Sequence, residues 1–205
     1  MRNLILVSAS ISLVLILSGC LMFSLNPLSR ENECLPDGLP GTWADNDTEY
    51  AITLSADKKT YDVVELDLRS KDSQPMRRTL IVSKIEGSIY GSAFLGKGVN
   101  LPHDLGGYAI PAYQIVRLKL EGDKLAFQLF NPKLFKEKDI PEPSYVEVPD
   151  FPNNDKSVHI YGANPKELRE WLAKYGDKIF SDDLAIPLVR KNAEAKPTAA
   201  QASKE

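Results

Sequence analysis

The chain reads as a mainly β protein, an antiparallel meander that curls into a small barrel or half-barrel, with one α-helix near the C-terminus covering an open side. Three observations predict this. Between Tyr50 and Phe130 apolar and polar residues alternate with a period of two. Short polar or Gly-containing connections separate the alternating runs. One later stretch has both the caps and the apolar spacing of a helix.

Gly41-Thr42-Trp43 opens the folded part. Tyr50, Ile52 and Leu54 share one face of the first long strand, and Ala56 to Lys59 makes a polar turn. In the next strand Val64, Leu66 and Leu68 are expected to face the core, leaving Glu65, Asp67 and Arg69 to solvent. Ser70 to Pro75 is a loop, Arg78 to Ile85 a third strand, and Glu86-Gly87-Ser88 a reversal into a fourth from Ile89 to Leu95, where Gly91 and Gly96 suggest a bend. A glycine-rich loop, Gly96 to Gly107, carries Pro102, His103 and Asp104. Gly122-Asp123 then joins Gln114–Glu121 to Lys124–Phe130, a two-residue hairpin that puts Val116, Leu118 and Leu120 on the face of Leu125, Phe127 and Leu129.

A helical turn is expected from Asn131-Pro132 through Lys136, and four prolines between Ile140 and Asn154 exclude a central strand there. Val158 to Tyr161 reads as a short edge strand. Asn164 as N-cap, Pro165 at the first helical position and Glu167 three residues after the cap start a helix. Its predicted apolar stripe is Leu168, Trp171, Leu172 and Tyr175, with Gly176 as the stop. Leu184 to Val189 forms a last strand, and the Ala-, Lys- and Glu-rich residues 191–205 read as a disordered tail.

The balance of 25 basic against 28 acidic residues gives a net charge of −3, which argues against a nucleic-acid binder. Arg2 followed by the apolar run Leu4 to Leu17 has the make-up of a secretory signal. The run ends in Leu17-Ser18-Gly19-Cys20, which resembles the lipobox of bacterial lipoproteins. The resemblance implies cleavage before Cys20 by signal peptidase II and a diacylglyceryl group on its thiol, a two-chain anchor that holds stably to a membrane. Leu21 at the following position implies transfer to the outer membrane, with the domain facing the periplasm. An uncleaved signal anchor is the rival, because Leu4 to Leu25 is long enough to span a bilayer. On the lipobox reading residues 1–19 are a signal peptide, 20–40 a lipidated tether of about 25 Å reach, and 41–190 the β-rich domain. Cys34 is then left as a lone thiol in the tether, with no basic neighbour in sequence to activate it.

No catalytic constellation is evident. His103-Asp104 lacks a serine nucleophile on a sharp turn, and His103 and His159, the two histidines, do not make a metal-ligand set. The chain is therefore expected not to be an enzyme and to carry no cofactor. Gly41-Thr42-Trp43 resembles the opening of lipocalins, in which the Trp closes the barrel floor under a basic side chain. Arg190 and Arg117 are the candidates for that partner, against plain core packing of Trp43. Gly41–Trp43, Leu101–His103, Asn164–Arg169, Phe180 and Leu188–Arg190 together are similar to a group of small bacterial envelope lipoproteins. What these resemblances imply is a lipid-anchored envelope protein whose barrel binds a small apolar or amphipathic ligand, or an accessory subunit of an envelope protein complex.

Overall fold

The computed structural model describes residues 22–28, 34–70, 72–94, 112–149 and 157–191. The signal peptide, Cys20, the Leu101–His103 loop and residues 192–205 lie outside them. Among the described residues eleven strands form one sheet: β1 Met22–Ser24, β2 Gly41–Ala44, β3 Thr48–Leu54, β4 Tyr61–Asp67, β5 Met76–Ile85, β6 Ser88–Phe94, β7 Tyr113–Glu121, β8 Lys124–Phe130, β9 Tyr145–Pro149, β10 Ser157–Tyr161 and β11 Phe180–Arg190. Among the described residues two helices, α1 Lys133–Glu137 and α2 Pro165–Ile179, fall between them. Among the described residues no helix is long and apolar enough to cross a membrane.

β2 to β8 run up and down as an antiparallel meander, and β11 returns after α2 to lie between β8 and β2. β6 also pairs with β7, so these eight strands close into a barrel, as the alternation predicts. The hairpin is where the sequence places it, with Leu120 opposite Leu125 and Leu118 opposite Phe127. Closure is uneven. β2 meets β11 through only two pairs, Ala44 with Val189 and Trp43 with Arg190. The rest of β11 has no ladder partner on that side, which suits Pro187, a residue confined to edges and irregular positions in sheets.

The barrel wall separates two apolar cores. Inside lie Trp43, Ile52, Tyr61, Leu80, Val82, Leu118, Leu125 and Leu188. Outside, Tyr90 and Ile115 on the wall pack with Met22, Leu28, Phe130, Tyr161, Phe180 and the buried face of α2. The helix starts as its capping box requires, with the Asn164 side chain accepting from the Lys166 and Glu167 N–H groups at 3.1 and 3.0 Å. Trp171 and Tyr175 lie half-buried at the border of this outer core.

Four sequence expectations need correction. Gly176 does not stop α2, which continues to Ile179; a Cβ at Gly176 would overlap the Tyr90 hydroxyl, so glycine is there to let helix and wall approach. In β4 the faces are reversed: Tyr61, Val63 and Glu65 point inward while Leu68 is exposed, because Val63 pairs with Ile52 and the β3 face carrying Ile52 lines the lumen. β10 is not an edge, since it lies between β1 and β9; the edge strand is the proline-flanked β9.

The fourth concerns the stretch expected as a tether, whose described parts are built into the fold. Met22–Ser24 pairs antiparallel with β7 and parallel with β10. The Leu28 N–H donates to Ser92 Oγ at 3.0 Å, and Leu28 and Leu39 are buried. Prolines 27, 36 and 40 prevent regular structure without preventing packing.

Gly176→Ala gains about 1 kcal/mol of helix propensity but overpacks the contact with Tyr90, which costs about 1–3 kcal/mol. A net loss of stability is expected in urea denaturation. Combining it with Tyr90→Phe, which removes the overlapping hydroxyl, should recover most of that loss.

Candidate functional site

The barrel has a floor, where β2, β4, β6 and β8 begin, and a mouth at the opposite end. The strap 34–40 crosses the floor: the Cys34 N–H donates to the Val82 carbonyl at 3.0 Å, Leu39 enters the inner core, and the Tyr61 hydroxyl donates to the Pro36 carbonyl at 3.4 Å. Trp43 is fully buried against this strap and donates its indole N–H to the Leu39 carbonyl at 2.9 Å.

Arg190, one of the two basic residues singled out in sequence, covers Trp43 with its guanidinium 4.1 Å from the ring centroid. The same group donates to the carbonyls of Pro40, at 2.9 Å, and Gly38, and its Nε lies 3.2 Å from Asp123. Gly41 is required beside it, since a Cβ there would overlap the Arg190 guanidinium. Arg117 is not the partner. It stands on the outer wall, 2.7 Å from Ser88 Oγ and 2.6 Å from Asp177 of α2, and ties the helix to the barrel.

At the mouth half Tyr50, Ala93, Phe127, Leu129 and Ile186 face the lumen and are only partly buried, as are Ile89 and Leu120 nearer the floor, while Trp43, Leu39, Leu125 and Leu188 are fully covered. Tyr50 and Phe127 meet edge to face, with ring centroids 5.4 Å apart. Above them Arg78 spans the opening. From β5 it reaches Glu65 on β4 at 3.0 Å and Gln114 on β7, two strands away on the other side, also at 3.0 Å. Arg78 and Glu65 keep 19% and 26% of their side chains exposed, so this pair is accessible from the mouth. Burial holds the Tyr50 phenol protonated well above its ordinary range; Glu65 adds to this, Arg78 opposes it and Asp45 adds again.

Neither Glu65 nor Arg78 was identifiable as a site residue from sequence. The available signal was that Tyr61 and Val63 share the phase of Glu65, so the phase of Leu66 and Leu68 had a competitor. Of the other residues singled out, His159 falls on β10, and His103 lies outside the described residues. Cys34 is half-buried against the floor; burial raises its pKa, and Lys84, brought near only by the fold, partly offsets this. Two open grooves of about 230 and 250 Å³ are each lined by a single pair of neighbouring strands, β4–β5 and β6–β7, and are surface features rather than the lumen.

Arg190→Ala removes charge-assisted hydrogen bonds and the contact with Trp43, and should destabilise the fold by about 2–3 kcal/mol in chemical denaturation. The exposed Asp123 adds little to that figure. Burial pushes Tyr61 up to about 12, and it raises Tyr90 and Tyr161 as well. Their folded pKa values lie above the unfolded value of about 10, so their contribution to stability is present in full below that pH and lost as pH rises toward 12. A stability profile flat at neutral pH and falling over that alkaline window is expected, with tyrosinate absorbance appearing late.

No protein-family model, no curated protein and no solved structure matches the chain.

Proposed function

We propose that the chain is a lipid-anchored bacterial envelope protein, held at the outer membrane on its periplasmic side, whose barrel binds a small amphipathic ligand rather than catalysing a reaction. The observation that carries the binding reading is the mouth half of the lumen, where the apolar walls of Tyr50, Phe127, Leu129 and Ile186 remain partly open beneath the Arg78–Glu65 bridge, above the buried Trp43 and Arg190. A buried floor with a partly open apolar wall and few polar groups is the make-up of a ligand site. The two-pair seam between β2 and β11 adds a side on which the mouth half lacks a neighbouring strand.

The anchor rests on Leu17-Ser18-Gly19-Cys20. Because β1 begins at Met22, a lipid on Cys20 leaves at most about 7 Å of chain between anchor and domain. The barrel is then held against the bilayer, not suspended from it. A second reading, an accessory subunit of an envelope complex, is favoured by β9, which among the described residues has β10 as its one ladder neighbour and so ends the sheet, the kind of edge a partner strand extends.

Mass spectrometry of the mature protein should show a chain starting at Cys20 with a thioether-linked lipid; an intact Met1 end with a free Cys20 thiol overturns the anchor. Binding of the apolar fluorophore N-phenyl-1-naphthylamine should weaken several-fold in Phe127→Ala. Binding that is absent, or unchanged by that substitution, overturns the lumen as a ligand site.

A further inference from the structure

We infer that the ligand of the mouth carries an uncharged polar head, an ester or amide carbonyl on an alkyl chain, and that the site discriminates against the corresponding carboxylate. This rests on the ligand-binding reading and specifies the chemistry of that same site.

The charges at the opening are already matched. Arg78 spends its positive charge on Glu65 at 3.0 Å, and Gln114 takes a second guanidinium N–H. At the rim, Arg69 is committed to Asp67 at 3.0 Å. Asp45 is engaged with the backbone N–H groups of Asp47 and Thr48 at 2.8 and 2.7 Å, and it brings a negative charge with no guanidinium or ammonium bonded to it among the described residues. A ligand carboxylate arriving at Arg78 would meet Glu65 on the same guanidinium. Like charges sharing one cation in a partly buried site repel each other, and the second anion is disfavoured. A carbonyl oxygen accepts hydrogen bonds from the same donors without that repulsion.

The polar groups suit such a head. Arg78 offers donors only. Its Nε is buried with no acceptor among the described residues, so turning the guanidinium toward an incoming oxygen forfeits no hydrogen bond at that atom. Tyr50, whose phenol stays protonated, offers a further donor beneath the bridge. The partly buried Phe127, Leu129 and Ile186 line the side toward which an alkyl chain would run.

The test uses the full-length lipidated protein with two probes, monodecanoylglycerol and decanoate, each displacing N-phenyl-1-naphthylamine at mildly alkaline pH. The glycerol ester is expected to bind at least about tenfold more tightly than the ionised acid. Glu65→Gln, which frees Arg78 of its counter-charge while keeping a hydrogen-bonding side chain, should narrow or reverse that preference by strengthening decanoate binding. Equal or tighter binding of decanoate by the unaltered protein overturns the head-group inference and leaves the ligand site standing. Displacement by neither compound overturns both. A Glu65→Gln variant that melts like the parent and keeps the tenfold preference also overturns it, by showing that Glu65 does not set the discrimination.

Discussion

The guanidinium of Arg190 holds the barrel shut. β2 and β11 share two residue pairs, too few to define a seam on backbone hydrogen bonding alone, and one of those pairs is Trp43 with Arg190. The side chain adds what the ladder lacks: it lies on the indole, takes the carbonyls of Gly38 and Pro40, and so ties the strap to the last strand. An arginine suits this place because its planar fork can stack and donate in several directions at once, which an ammonium cannot do. Gly41, Leu39 and the buried Trp43 are arranged around that one group.

Stability and openness are divided between the two faces of the wall. The outer core, with Met22, Tyr90, Ile115, Phe130, Phe180 and Leu168, Leu172 and Ile179 of α2, is buried throughout. It is reinforced at its border by Arg117 bridging to Asp177 and by the Trp171 indole donating to the Pro141 carbonyl at 2.7 Å. That much apolar surface removed from water outside the barrel stabilises the wall independently of how its inner face is packed. The capped helix therefore does more than cover an open side: it buries a second apolar core against the outer face of the wall.

Much of this was legible in the residues. The hairpin through Gly122-Asp123 came out in its true register because a two-residue turn and unbroken alternation leave one pairing possible. The floor was legible through Gly41-Thr42-Trp43 and Arg190. The face of β4 was not, because Tyr61 and Val63 argue for one phase and Leu66 and Leu68 for the other; the neighbouring Ile52 decides, and its influence is tertiary. Glu65 could not be placed inward until Arg78 was known to meet it. β1 was hidden for a different reason. Three residues carry no periodicity, and its parallel partner β10 lies far along the chain. Gly176 looked like a helix stop, and only the approach of Tyr90 shows why a glycine continues the helix there.

The closing contact joins Arg190 to Pro40, positions 150 residues apart in sequence. The seven meander strands can form from neighbours as the chain becomes available, but the floor waits for the last strand, and that strand waits for α2. Contacts of such long range carry the largest loop-closure cost and set the pace of folding. Until β11 is in place β2 lacks its second neighbour, and an unpaired strand edge is open to misplaced pairing. The conformational search of this chain thus ends at its floor.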